Sequence, residues 1–154
     1  LWRILVDGFG PGREKKRLFP KVFPANAFIG KYLRLELLSR YDHGDQVVSN
    51  IEDFFDYMAL KTGTLWEHID THASCNHGFA SHVIHCLYRD ALGIMEIDHE
   101  TKVVVIKHNA IDADWCEGWL PVDGSRLYVR WENYGGKPTY VIDAPEGYKV
   151  IHTN

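Results

Sequence analysis

The spacing of apolar residues changes once along this chain, near Ile94–Asp98, from the 3.6-residue period of a helix to the two-residue alternation of a strand. A helical pattern cannot lie flat as a strand, and an alternating one cannot present a single face as a helix. Helices followed by strands, with no interleaving, give an α+β chain in two parts. We place the parts at residues 1–94 and 95–154.

Within the first part, Phe28, Ile29, Tyr32, Leu33, Leu35, Leu37, Leu38 and Tyr41 recur at helical spacing behind Asn26, a good N-cap. This helix should stop near Tyr41, with Gly44 as the breaker. A second helix is predicted over about Asp45–Leu60, where Val47, Val48, Ile51, Phe54, Phe55 and Met58 form one stripe and Gly63 suits the C′ position. The short link makes these helices antiparallel neighbours. Phe79, His82, Val83, Cys86, Leu87 and Leu92 mark a third helix, ended by Gly93. In the second part Lys102–His108 is rich in β-branched residues. Ser125–Glu132 alternates, with Leu127, Val129 and Trp131 on one face. Tyr134-Gly135-Gly136-Lys137 signals a hairpin, Thr139–Asp143 its return strand, and Tyr148–His152 a last strand. The expected result is an antiparallel β-meander.

Charge and composition remove several classes of function. The formal net charge is -4 and no basic block can track a phosphate backbone, which argues against nucleic acid. No apolar run reaches the roughly 18 residues of a membrane span. Three cysteines, an odd number without CxxC spacing, do not make a disulfide framework. Aromatic residues make up 13% of the chain, which serves a core or a sugar-stacking cleft equally well. The start Leu1-Trp2-Arg3 shows no secretory leader and reads as part of a longer polypeptide.

Chemistry concentrates in one connection, Thr64–Gly78, which holds an indole, two carboxylates, three imidazoles and an amide. Loops this dense in reactive side chains are where scaffolds carry function. His68 and His72 are four apart and His82 and His85 three apart, but Gly63 and the run to Gly78 oppose a helix at the first pair, and no supporting carboxylate motif accompanies them. Side chains packed or solvated on a helix are the plainer reading of His82 and His85, and no metal or other cofactor is expected. Cys75 beside Asn76 and His77 invites a thiolate reading, yet chain neighbours rarely acquire the geometry of nucleophile and base. Glu67 directly follows Trp66, an order that suits a carboxylate working beside a sugar held on a ring; the competing reading is a capping or ion-paired glutamate.

Thr64-Leu65-Trp66-Glu67, then Ser74-x-Asn76-His77-Gly78, then Tyr88-Arg89-x-x-x-Gly93-Ile94 resembles the α-L-rhamnosidases of glycoside hydrolase family 78. The flanks agree, from Asn26–Leu38 and Phe54–Gly63 to Trp115–Pro145 with Val129-x-Trp131 and Ala144-Pro145-x-Gly147. The resemblance implies the last helices of an (α/α)6 toroid followed by a terminal β-sandwich. It implies single-displacement, inverting hydrolysis of terminal α-L-rhamnosides, without a cofactor. Glu67 then corresponds to the general base, His77 to a ligand of the sugar hydroxyls, and Trp66, with Asn76, to the pocket wall. The general acid of that family lies on a much earlier loop, to which nothing in this chain corresponds.

Two expectations about partners follow. Besides a carbohydrate substrate, the chain needs the missing N-terminal part of the same enzyme, or it self-associates through apolar helix faces including Phe28, Leu35, Phe54 and Phe55. Alone it should not hydrolyse rhamnosides. The alternative is a carbohydrate-binding β module, presenting some of Trp115, Trp119, Tyr128, Trp131, Tyr134, Tyr140 and Tyr148, or a structural domain without catalysis.

Overall fold

A computed structural model describes residues 1–9, 13–16, 18–22, 27–70 and 73–153. Asn26 and His72, singled out above, lie outside the described residues. The architecture is α+β, in two compact units, Leu1–Cys86 and Leu87–Asn154. Among the described residues, no helix is long and apolar enough to cross a membrane.

In the first unit a π-helical turn (Ile4–Gly8) and a short helix α1 (Arg13–Lys16) precede α2 (Phe28–Arg40). Helix α3 (Gly44–Ile51) continues through a π turn (Glu52–Asp56) into α4 (Tyr57–Thr62). Gly63 closes it at φ 72°, a left-handed cap that glycine adopts without a Cβ penalty. A 3-10 turn (Gly78–Ser81) leads into α5 (His82–Cys86). The helical stripes read from the sequence form the core: Leu35, Leu38, Val47, Ile51, Phe54, Phe55, Met58, Val83 and Cys86 bury together, and Trp66 of the following loop joins them. The half-buried Arg34 ties three segments of this unit. Its Nε donates to Asn50 Oδ1 (3.1 Å), Nη1 to the Leu5 carbonyl (2.8 Å) and Nη2 to Gln46 Oε1 (3.1 Å), while burial pushes its guanidinium below the ordinary value.

One expectation about this unit is corrected. Leu35, Phe54 and Phe55 do not face outward but are buried, because they pack into the one apolar cluster that α2, α3, the π turn, α4 and α5 share. Among the described residues, the apolar side chains left exposed include Ile29, Leu33, Leu60, Phe79 and Ile84 instead.

The second unit opens with a π turn (Leu87–Ala91) and holds β1 (Ile94–Asp98), β2 (Val103–Lys107), β3 (Trp115–Val122), β4 (Ser125–Tyr134), β5 (Lys137–Asp143) and β6 (Lys149–Thr153). They form two three-stranded sheets, ordered β1-β2-β6 and β3-β4-β5. Strands β3, β4 and β5 are consecutive antiparallel neighbours; the alternation implied the pairing of β4 with β5, and β3 adds a neighbour on the other edge of β4. The hairpin at Gly135 and Gly136 has φ 64° and 82°, the positive pair a tight primed turn needs.

The uninterrupted antiparallel meander is corrected by β6. It leaves β5 and returns to the first sheet, where it runs parallel to β2, Val103 facing Lys149 and Lys107 facing Thr153. A parallel pair needs a long crossover, and the whole β3–β5 sheet serves as one. Val104 and Ile106 of β2 share one apolar cluster with Val122, Leu127 and Val129 of the other sheet. The π turn belongs with the strands: Trp131, buried as its alternation implied, donates its indole N–H to the Ala91 carbonyl (2.9 Å).

Candidate functional site

The loop after α4 is organised from both of its ends. Thr64 Oγ1 donates to the Cys75 carbonyl (2.5 Å), the His77 N–H to the Leu65 carbonyl (2.8 Å), and the Glu67 N–H to the Ser74 carbonyl (2.9 Å). The two arms of the loop are thereby zipped together. A further bond runs from the Phe28 N–H to the Glu67 carbonyl (3.0 Å), and Ala27 and His68 form an isolated β-bridge, so the base of the loop is sewn to the start of α2. Backbone bonds on both sides of Glu67 leave its main chain little freedom, and its side chain becomes the variable part.

Trp66 anchors the arrangement from beneath. The indole is 0% exposed, its Nε1–H donates to Thr62 Oγ1 (2.8 Å), and the Tyr57 ring meets it edge-on at 5.7 Å. Lys61 Nζ lies 5.4 Å from the centre of its ring. A side chain enclosed this way offers no open face to a sugar. The sequence reading of Trp66 as a pocket wall therefore gives way to a buried support that sets where the next residue emerges.

That next residue is Glu67, whose side chain is 39% exposed. Its Oε2 lies 4.0 Å from His77 Nδ1, which makes a carboxylate and an imidazole neighbours although they sit on opposite arms of the loop. The His77 ring contacts Phe28 at 4.9 Å and Phe79 at 5.7 Å between centroids. Phe79 is 78% exposed. Asn76 and Asp70 are exposed, and Ser74 Oγ donates to the Asn76 carbonyl (3.1 Å), shaping the turn just before His77. Of the residues named from sequence, Glu67 and His77 come together, Asn76 stands at the rim beside His77, and Trp66 lies beneath.

Chemically the pair offers an acceptor for a proton from water and a ring nitrogen that can hold a hydroxyl, with two phenyl rings to pack the apolar face of a small ligand. The phenyl rings carry no signal of this role in the sequence. By periodicity Phe28 belongs to a helix face and Phe79 to a helix start, and nothing in their spacing from His77 announces that the three rings meet.

The second unit contains a different feature, an open depression of about 560 Å³ lined by Tyr88, Glu117, Gly118, Trp119, Pro121 and Tyr128. Tyr88 donates its hydroxyl to the Trp119 carbonyl (2.7 Å), and Tyr128 to Glu117 Oε2 (3.0 Å). Arg130 also bonds Glu117 (2.6 Å), and these hydrogen bonds hold the Glu117 carboxyl below its usual range. Trp119 and Trp115 of β3 are both more than half exposed on this side of the strand, with the Arg130 guanidinium 5.0 Å from the Trp115 ring.

No protein-family model matches the chain, and no curated protein matches it. Among solved structures it is similar to the crystal structure of a GH78 family rhamnosidase of Bacillus sp. GL1, with a TM-score of 0.71 at 20% sequence identity. The match covers 84% of this chain, and the chain spans 15% of that rhamnosidase. At this identity the likeness establishes a shared fold over most of the chain, with helices first and strands after.

Proposed function

We propose that this chain is the C-terminal part of a glycoside hydrolase, carrying the last helices of the catalytic toroid and a terminal β-sandwich domain. In this reading Glu67 is the general base of an inverting hydrolysis of terminal α-L-rhamnosides. The observation that carries the reading is the 4.0 Å approach of a partly exposed Glu67 to His77 on a loop whose arms are pinned by backbone hydrogen bonds. Glu67 accepts a proton from water as that water attacks the anomeric carbon, while His77 and Asn76 hold sugar hydroxyls and Phe28 and Phe79 pack a carbon face of the ring. Trp66 acts through Glu67 rather than on the sugar. Inversion needs a second carboxyl roughly 6.5–9.5 Å from the base, which the preceding part of the enzyme supplies. The surface left by Ile29, Leu33 and Ile84 is the face such a part would cover, or through which the chain alone would pair with itself.

The test has two arms. In a polypeptide that joins this chain to its preceding toroid, Glu67→Gln should lower kcat on an aryl α-L-rhamnoside by about 10²–10⁴-fold, while the chain by itself should show no turnover. In the chain alone, NMR titration with L-rhamnose should shift resonances of His77, Asn76 and Phe79. Wild-type turnover by the Glu67→Gln enzyme sinks the proposal.

The exposed Trp115 and Trp119, with the depression beside Tyr128 and Glu117, favour a second reading, a carbohydrate-binding β module. The same titration separates the two, since shifts confined to β3 and β4 would select the module.

A further inference from the structure

We propose that Glu36, His82 and Cys86 form a site for a thiophilic divalent cation, zinc being the ion they fit, and that the ion ties helix α2 to helix α5. The sequence alone reads His82 as a packed or solvated side chain on a helix; its partner in α2 lies 46 residues earlier. In the fold Glu36 Oε1 is 2.9 Å from His82 Nε2. Cys86, one helical turn beyond His82, places Sγ 3.6 Å from Nδ1 and 3.9 Å from Nε2 of the same ring. One donor atom from each of the three residues lies within 4.8 Å of the other two.

These separations can be compared with what the ion requires. Bond lengths of about 2.0–2.3 Å to N, O and S in a tetrahedron set donor atoms about 3.4–3.6 Å apart. Shifts of about 1 Å, within reach of side-chain rotation, take the observed trio to that spacing, and neither helix has to move. The Tyr32 ring stands edge-on to His82 at 4.1 Å and limits the ring's freedom to swing away. Accessibility also fits. Cys86 is 0% exposed, whereas the side chains of His82 and Glu36 are 22% and 32% exposed. An ion reaches the thiol past the imidazole and carboxylate and keeps its fourth position for water. The same burial rules out a Cys-His nucleophile, since no substrate carbon can approach Sγ.

The donor set selects the metal. Thiolate and imidazole favour zinc over magnesium or calcium, and one thiolate with one carboxylate neutralises a divalent charge at a partly buried position. Coordination releases the Cys86 thiol proton to solvent, so the site weakens as pH falls. This inference uses none of the residues assigned to hydrolysis.

Cobalt(II), titrated into the reduced chain, is the probe. The expected result is one equivalent bound, with a near-ultraviolet thiolate-to-cobalt band and visible bands of tetrahedral cobalt, all removed by excess zinc. Cys86→Ser should abolish the thiolate band, and Cys75→Ser and Cys116→Ser should keep it. Glu36→Gln, at a partly exposed position that should fold normally, should weaken cobalt binding by about tenfold or more. A thiolate band that survives Cys86→Ser, a Glu36→Gln chain that binds as the wild type does, or a wild type with no thiolate band would each overturn the site.

Discussion

Replacing Trp66 distinguishes a buried support from a sugar-stacking ring, because the two roles differ in stability by several kcal/mol. The indole is 0% exposed and donates to Thr62 Oγ1 at 2.8 Å, and the Trp66 N–H points at Met58 Sδ (3.4 Å). A buried indole removes about 150–250 Å² from water, roughly 4–6 kcal/mol at about 25 cal/mol per Å². Partial collapse of the site reduces the measured loss on Trp→Ala to about 3–5 kcal/mol. Trp66→Phe keeps most of the volume and loses one hydrogen bond to the exposed Thr62 hydroxyl, which keeps its bonds to Met58 and Thr64, for a loss of about 1–2 kcal/mol. A tryptophan whose face lay open to solvent would change stability by about 0.5 kcal/mol or less on the same substitution. The assay is urea denaturation followed by amide exchange at Leu35, Val47 and Met58, which share the Trp66 core and report this unit separately from the strands. The alanine variant should also release the Glu67–Ser74 backbone bond, seen as faster exchange of the Glu67 amide. A loss below about 1 kcal/mol for Trp66→Ala would refute the support role and return the ring to the pocket wall.

Two further outcomes concern the second unit. At Gly93 the backbone has φ 90°, and an added Cβ would lie 2.3 Å from the Lys107 carbonyl oxygen. Gly93→Ala should therefore cost about 3 kcal/mol, from left-handed strain and overlap with main chain, and weaken the Lys107 N–H bond to the Gly93 carbonyl, as urea denaturation and Lys107 amide exchange would read. Burial pushes the His108 imidazole below its ordinary value, where its ring nitrogen meets the Tyr140 hydroxyl at 2.9 Å. The unfolded chain then binds the proton more readily than the folded one. Stability of this unit should be complete above about pH 6.5 and fall as pH is lowered from there toward the folded value; His108→Gln should flatten that stretch of the stability–pH profile.

Much of the secondary structure was legible because periodicity is a local property. The end of α2 at Arg40, the glycine cap at Gly63, the hairpin at Gly135 and Gly136 and the inward face of Leu127, Val129 and Trp131 follow from patterns a few residues long. Strands β1 and β3 were not identified. Ile94–Asp98 sits where the period changes, and Trp115–Val122 mixes Gly118 and Pro121 into its alternation, which dilutes the signal. The loop from Thr64 to Gly78 was legible as the place of chemistry from its residue types alone, but the depth of Trp66 was not. Alternation of aromatic and charged residues says nothing about which of them meets a helix from below.

The residue order by itself determined that helices precede strands, where most of them turn, and which loop holds a carboxylate beside an indole. These depend on interactions within a few residues of chain. Tertiary structure alone decided that β6 crosses back to run parallel with β2, that Glu67 stands 4.0 Å from His77, and that Glu36 reaches His82. Each of those is a meeting of segments distant in sequence or on opposite arms of a loop, and only the packing of shared apolar faces and the pairing of backbone groups selects it.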